Sequence, residues 1–285
     1  MTTVAELTTK VTPTWCPGCG DFTILATLKN AVAELGLDPK DTVIVSGIGC
    51  GSKTPHYVKT YGFEGLHGRG LPVAQAIKLA NHKLHVIMIA GDGDVYGIGL
   101  NHLMHAMRRN VDVTCLVQNN MVYGLTKGQT SPTSAQGFKT GSTPTGVLEL
   151  PVNPIALGLG SDAGFLARGY NLDINHLKSL FMQAITHKGF SLVDVFQVCA
   201  VWNKVNTPAW FKERLYRLED DSHDSADREA AEKKGREWGD RIPIGLFYKE
   251  DRPTYEDGLF QIKDKALVDH DLGKVDVGPY LDTLR

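Results

Sequence analysis

Leu84–Ala90 (LHVIMIA) runs directly into Gly91-Asp92-Gly93-Asp94, and Val111–Gln118 (VDVTCLVQ) runs directly into Asn119-Asn120. Each apolar, partly β-branched run reads as a buried strand. The helix-periodic stretch between them, Ile98–Arg109, reads as the crossover joining two parallel neighbours. The glycines let the chain turn sharply after the first strand and let backbone amides approach an anion closely. Asp92 offers a hard oxygen at the carboxyl end of its strand, where open α/β sheets place their ligands. Asn120 ends the next strand, so both oxygens can meet on one rim. Magnesium takes few protein ligands and completes its octahedron with water and phosphate oxygens. The pair therefore fits a magnesium-assisted grip on a diphosphate. A tight turn and an ordinary loop would account for a lone GDG, but the ordered succession strand–GDG–helix–strand–NN favours the grip.

Outward from this core the same alternation continues. Thr42–Ser46 (TVIVS) and Ser191–Cys199 (SLVDVFQVC) read as further strands, and Phe22–Leu35, Leu71–His82 and Ile174–His187 as helices. The expected fold is α/β, a doubly wound, mainly parallel sheet with ligands at the strand C-termini. Residues 127–154 are rich in Gly, Pro, Ser and Thr and lack periodicity; a loop of that length is usually functional or mobile. After about Pro208 the composition shifts. Arg217–Arg241 is dense in charge and reads as a solvated helix or an arm over a neighbour. The expected organisation is a ligand-binding domain over 1–210 and a charged C-terminal extension over 211–285, packed on that domain or on a partner.

Bulk properties narrow the class. A chain of 285 residues with 42% hydrophobic and 22% charged content is ordinary for a globular protein. The net charge of −2 gives no reason to expect nucleic acid or an acidic membrane as partner. No apolar run approaches the roughly 20 residues needed to span a bilayer, and the N-terminal segment lacks the pattern of a signal peptide. A cytoplasmic setting is expected. Five cysteines argue against a disulfide framework there.

Cys16-Pro17-Gly18-Cys19 is a C-x-x-C, a spacing shared by zinc sites, redox dithiols and iron–sulfur clusters. Nothing strand-like precedes it, which disfavours a thioredoxin-like motif, and there is no second close pair for zinc. Cys50 follows the strand Thr42–Ser46, and Cys199 closes the strand Ser191–Cys199. If those ends share a rim with the diphosphate site, Cys16, Cys19, Cys50 and Cys199 form a four-thiolate set around a 4Fe–4S cluster. On spacing alone, a cluster and two plainly buried thiols fit equally. Cys115 lies within an apolar run and reads as core.

The stretch from Gly91 to Asn120 resembles the diphosphate-binding signature of thiamine diphosphate enzymes. That resemblance implies Asp92, Asn120 and the main-chain carbonyl of Val122 as magnesium ligands. Together, WCPGCG, GIGCGSK, HGRGLPVA, GDGDVYGIG and LTKGQTSPTS resemble the β subunit of 2-oxoacid:ferredoxin oxidoreductases, from about Thr14 to Cys199 and on towards Pro208. The resemblance implies one 4Fe–4S cluster on Cys16, Cys19, Cys50 and Cys199 beside thiamine diphosphate. It also implies cofactor contacts from Gly47, Ile48, Gly49, Cys50, His67, Gly91, Asp92, Gly93, Asp94, Asn120, Val122, Tyr123, Gly124 and Leu125.

Lys53 and Lys127 fall in loops at the expected ligand rim, where a cation favours a carboxylate. Position alone reads them as solvated lysines; the resemblance places them near the oxoacid, with Leu125 shaping the substrate pocket. Gly47–Cys50 offers consecutive amides to a diphosphate. Asp94 either supports the metal through a neighbouring ligand or caps the following helix. His102 and His105 read as helix-face residues, and Gly158–Gly164 as a decoy for a dinucleotide loop, since no strand precedes it.

The resemblance further implies oxidative decarboxylation of a 2-oxoacid with coenzyme A and ferredoxin, reversible towards CO2 fixation, in an (αβ)2 assembly. LTKGQ and the separate short β chain resemble 2-oxoglutarate enzymes more than pyruvate ones, which implies 2-oxoglutarate. No glutamate falls in a motif suited to activating the aminopyrimidine, and the resemblance implies that an α subunit supplies it. The rival readings are a pyruvate enzyme, a non-redox thiamine diphosphate decarboxylase subunit, and a non-catalytic iron–sulfur scaffold.

Overall fold

The computed structural model describes residues 2–271, 273 and 275–285. Its strands are β1 (Thr42–Ser46), β2 (Tyr61–Glu64), β3 (His85–Gly91), β4 (Thr114–Asn119), β5 (Val122–Tyr123), β6 (Gln129–Thr130), β7 (Phe165–Tyr170), β8 (Ser191–Phe196), β9 (Leu215–Arg217) and β10 (Ile242–Lys249). The helices are α1 (Asp21–Glu34), α2 (Gly70–Ala80), α3 (Leu100–Arg109), α4 (Pro154–Gly160), α5 (Ile174–Thr186), α6 (Pro208–Lys212), α7 (Arg228–Gly235) and α8 (Gly278–Asp282).

Eight strands form one sheet in the order β2-β1-β3-β4-β8-β7-β10-β9. From β2 to β7 every pairing is parallel, and β10 joins β7 antiparallel. Chain order reverses between β1 and β3, so their C-terminal ends splay apart and leave a crevice. The crevice receives Gly47–Cys50 after β1, Gly91–Asp94 at the end of β3, and Asn120 after β4.

Alternation along the strands builds two cores. Val43 and Val45, Val86 and Met88, and Cys115 and Val117 face the side covered by α2, α3, α4 and α7. Ile44, Ile87, Ile89 and Leu116 face the side covered by α1 and α5. The expected strands and helices are present, with adjusted ends. The strand expected over Val111–Gln118 begins at Thr114, and the one expected to run to Cys199 stops at Phe196, leaving Cys199 beyond it. The helix expected over Ile98–Arg109 starts at Leu100 and is preceded by a π-helical turn, Gly93–Ile98, in which Gly97 leaves helical geometry and Gly99 N–H bonds Asp94 O at 3.0 Å.

Strands β9 and β10 come from the segment beyond residue 210, and β10 completes the sheet beside β7. Within Arg217–Arg241 lies the short helix α7, whose Ala231 and Gly235 are buried. The GLGSDAG stretch contains the last turn of α4 and the bend leading into β7, and has no strand before it. Among the described residues no helix is long and apolar enough to cross a membrane.

Candidate active site

The crevice holds a cavity of about 310 Å3 lined by residues from all three strand ends. Of the residues expected to contact the cofactor, all but Gly47 line it. Gly47 lies just behind, where a Cβ would fall 1.9 Å from Asp94 Oδ2.

Asp92 is 1% exposed. Its Oδ2 accepts from Ser131 Oγ at 2.5 Å and Thr133 Oγ1 at 2.6 Å, and Thr133 also donates to Asn119 Oδ1 at 2.9 Å. Burial pushes the Asp92 carboxyl up to about 6, against the lowering effect of those two hydroxyls. Asn120 lies in a turn made by Met121 at φ 61°. Its Oδ1 accepts Val122 N–H at 3.1 Å, which leaves a second lone pair for another partner.

Asp94 does not cap α3. Its Oδ1 accepts from the backbone of Gly68 at 2.5 Å and Ile48 at 3.3 Å, and pairs with His67 Nδ1 at 2.8 Å. One buried carboxylate thus ties the loop after β1 to the turn before α2. The Ile48 amide is consequently engaged inward, so the expected row of free amides over Gly47–Cys50 is interrupted there. Arg69 contacts His102, the helix-face residue. Gly93 is needed for space: a Cβ would fall 2.1 Å from the Tyr123 ring, whose hydroxyl donates to Gly93 O at 3.1 Å.

Two glutamines on this wall, Gln118 and Gln197, have no counterpart among the expected residues. The Gln118 carboxamide is buried with neither of its polar atoms bonded, and Asp94 Oδ2 is likewise unbonded. Buried polar groups are normally satisfied, so these atoms mark a wall that a polar ligand completes. No glutamate lines this cavity among the described residues.

A second cavity, about 220 Å3, adjoins the first and shares Cys50, Asn120, Gly124 and Leu125 with it. It is lined by all four expected cluster cysteines, Cys16, Cys19, Cys50 and Cys199, together with Lys53 and Lys127. The two lysines therefore stand on the cysteine side. Lys53 Nζ donates to Thr14 Oγ1 at 3.2 Å, and Lys127 sits at φ 75° in the turn after β5.

Backbone bonds assemble the cysteines. Gly18 at φ 77° closes the C-x-x-C turn, with Cys19 N–H on Cys16 O at 3.0 Å. Gly20 N–H bonds Val198 O at 3.0 Å, and Trp15 Nε1 donates to Cys50 O at 2.6 Å. Trp15 is held edge-on between Phe22 and Tyr57. Burial, aided by the Asp21 carboxylate, pushes the Cys50 thiol up to about 11 and the Cys19 thiol higher still. Iron binding would replace those thiol protons. Among the described residues no three His, Cys, Asp or Glu side chains are gathered tightly enough for a single ion. A 4Fe–4S cluster takes one thiolate per iron, so its cysteines stand further apart than the ligands of one metal; cysteines around a cavity suit it. Cys115 is apart from them, fully buried on the opposite face of β4 with its thiol 3.8 Å from Met88 Sδ.

Sequence reasoning did not pick out Ser131, Thr133, Gln118, Gln197 or Asp21. The serines and threonines of QTSPTS carried the only signal, as hydroxyls in a loop too long to be a plain connection.

The chain matches the family model described as thiamine pyrophosphate enzyme, C-terminal TPP binding domain, over residues 47–195. It also matches the model for the C terminal of the pyruvate ferredoxin oxidoreductase beta subunit, over residues 199–264. It is 49% identical to 2-oxoacid:ferredoxin oxidoreductase 1, subunit beta, of Aeropyrum pernix, over 94% of this chain and 87% of that one. It is 48% identical to 2-oxoglutarate oxidoreductase subunit KorB of Mycobacterium tuberculosis, over 70% of this chain and 53% of that one. Among solved structures, a 2-oxoglutarate:ferredoxin oxidoreductase from Magnetococcus marinus, with 2-oxoglutarate, coenzyme A and succinyl-CoA bound, superposes with a TM-score of 0.92 at 34% identity, covering 100% of this chain and 96% of that one. The thiamine diphosphate domain, the strand-end crevice and these relatives agree: the chain belongs to the β subunits of the 2-oxoacid:ferredoxin oxidoreductases.

Proposed function

We propose that this β subunit works on 2-oxoglutarate, converting it with coenzyme A and two oxidised ferredoxins to succinyl-CoA, CO2, a proton and two reduced ferredoxins, and that the reaction runs in either direction. The observation that carries the reading is the shared wall: Cys50, Asn120, Gly124 and Leu125 line both the cofactor cavity and the cysteine cavity. Bound thiamine diphosphate supplies an electron sink for loss of CO2, and a neighbouring 4Fe–4S cluster passes electrons on singly.

The chain's own residues have distinct tasks. Asp92, Asn120 and the Val122 carbonyl hold magnesium against the diphosphate, with Ser131 and Thr133 orienting the Asp92 carboxylate. Cys16, Cys19, Cys50 and Cys199 hold the cluster. Asp94 keeps the Ile48 loop and His67 against the cofactor. Lys53 and Lys127 offer cations to the two carboxylates of the oxoacid, and Leu125 shapes the space between the cavities. The carboxylate that activates the aminopyrimidine comes from an α subunit, in an (αβ)2 cytoplasmic enzyme.

The test is iron, sulfide and thiamine diphosphate content of the anaerobic αβ complex, with turnover on 2-oxoglutarate and pyruvate. The expected result is one 4Fe–4S cluster and one thiamine diphosphate per β chain and turnover on 2-oxoglutarate. Turnover on pyruvate alone would reject the substrate, and thiamine diphosphate without iron would reject the redox chemistry.

A further inference from the structure

We infer that Gln197 is a positioning residue joining the magnesium grip to the cysteine set, so that one side-chain amide orients Asn120 and sets the reduction potential at Cys19. The inference rests on the function proposed above.

Gln197 follows β8 directly, is 2% exposed and lines the cofactor cavity. Its Oε1 accepts from Asn120 Nδ2 at 3.4 Å, and its Nε2 donates to Cys19 Sγ at 3.5 Å. Its main chain is fixed on both sides: Gln197 N–H bonds Asn119 O at 3.0 Å, and Val198 N–H bonds Asn171 Oδ1 at 3.0 Å. Room for the side chain depends on Gly20, where a Cβ would fall 2.8 Å from Gln197 Cγ. The residue after Cys19 is therefore small where Gln197 must pass.

The amide has only one orientation that serves both ends. Turned over, it would set a donor against Asn120 Nδ2 and an acceptor against both the Cys19 sulfur and the Asp21 carboxylate, losing all three contacts. With Nδ2 committed to Gln197, Asn120 keeps Oδ1 for Val122 N–H and the metal. At the other end, an N–H aimed at a cysteine sulfur favours the more negative, reduced cluster, since hydrogen bonds to the sulfurs help set cluster potentials. Both cofactors then depend on one side chain that carries no charge of its own.

The test uses the anaerobic αβ holoenzyme and two variants. Q197E keeps an oxygen for Asn120 but replaces the donor to Cys19 and Asp21 with a carboxylate; Q197M removes all of these contacts at similar volume. Three quantities are read: iron and sulfide per chain, the dissociation constant of magnesium–thiamine diphosphate, and the cluster midpoint potential by EPR-monitored titration. Both variants are expected to keep wild-type iron and sulfide and to shift the cluster's redox equilibrium towards the oxidised form about tenfold, or about 59 mV for one electron. Cofactor binding is expected to weaken about tenfold in Q197M and stay unchanged in Q197E, as follows from losing or keeping a hydrogen bond of roughly 1.4 kcal/mol. Wild-type potentials in both variants would overturn the inference. So would equal weakening of cofactor binding in both, or loss of iron from both, which would make Gln197 a wall of the fold. Wild-type complex without iron and sulfide would instead overturn the proposed function, and the inference with it.

Discussion

Replacing Asp194 with asparagine should cost far more than its small change in shape suggests. Asp194 is fully buried in β8 and accepts from Tyr96 Oη at 3.0 Å, Asn119 Nδ2 at 3.0 Å and Arg168 Nε at 3.4 Å. Arg168, 1% exposed, lies between the rings of Phe196 and Phe247, its guanidinium carbon 5.1 and 5.2 Å from their centroids. Burial pushes the Asp194 carboxyl up and the Arg168 guanidinium down, and their mutual attraction opposes both shifts. Asp194→Asn retains an acceptor for Tyr96 and Asn119 but leaves Arg168 as a buried, unbalanced charge. Removing one partner of such a pair costs about 3–5 kcal/mol, whereas replacing both with apolar side chains is often neutral. We expect D194N to lose about that much in guanidinium unfolding and roughly 5–8 °C in Tm. The double variant D194N/R168M, which removes the stranded charge and keeps the acceptor for Tyr96 and Asn119, should recover most of the loss. A D194N loss under about 1 kcal/mol, or a double variant worse than the sum of its singles, would refute the reasoning. Because Asn119 hangs on Asp194 and receives Thr133, which in turn holds Asp92, D194L, which removes the acceptor that D194N keeps, should also weaken magnesium–thiamine diphosphate binding.

Three further outcomes are expected. Cys199→Ser should remove iron and the broad visible absorption from the anaerobic complex, whereas Cys115→Ala, on the opposite sheet face, should keep both and cost about 1 kcal/mol in unfolding. With the Asp92 carboxyl at about 6 against 3.8 in the open chain, magnesium-dependent cofactor binding should fall about tenfold per pH unit below that value and level off above it. In the metal-free chain the folded state then holds a proton that the unfolded state lacks between these values, so unfolding free energy should decline as pH rises through that window; a rise there would reverse the assignment. Gly93→Ala should displace the Tyr123 ring and cost more than tenfold in cofactor binding, while Gly160→Ala, whose Cβ meets nothing within 4 Å, should leave it intact.

The parts legible in the sequence were those where one local rule dominates. LHVIMIA and VDVTCLVQ are apolar on both faces, and only a sheet covered on both sides accepts such runs, so β3, β4 and the rim they share followed directly. Strand β2 escaped notice because YGFE is short, glycine-interrupted and exposed throughout. Strand β10 begins Ile242-Pro243-Ile244 and carries Gly245, signals that usually demote a strand, yet its place beside β7 outweighs them. At the site, the aspartate of GDG stood out by its place at a strand end, whereas spacing left the cysteines open and the family resemblance grouped them. Gln197, Gln118 and Thr133 could not be picked out: an amide or hydroxyl carries no signature until the fold sets a sulfur, a glycine or a carboxylate beside it. Lys53 and Lys127 show the converse: a rim position in sequence became the wall of the cysteine cavity and not of the cofactor cavity.

The π-helical turn at Gly93–Ile98 makes the length of this segment as constrained as its composition. An α-helical turn over the same path would need one residue fewer, and a deletion would let the turn regularise at little local cost. It would also rotate everything on one side of it by about 100° relative to the other. Asp94, which ties His67, Gly68 and Ile48 together, would then face away from them, or α3 would turn its buried Leu103, Ala106 and Met107 to solvent. Among natural variants of this chain, residues 93–99 should accept substitutions at the exposed Ile98 but tolerate neither insertion nor deletion.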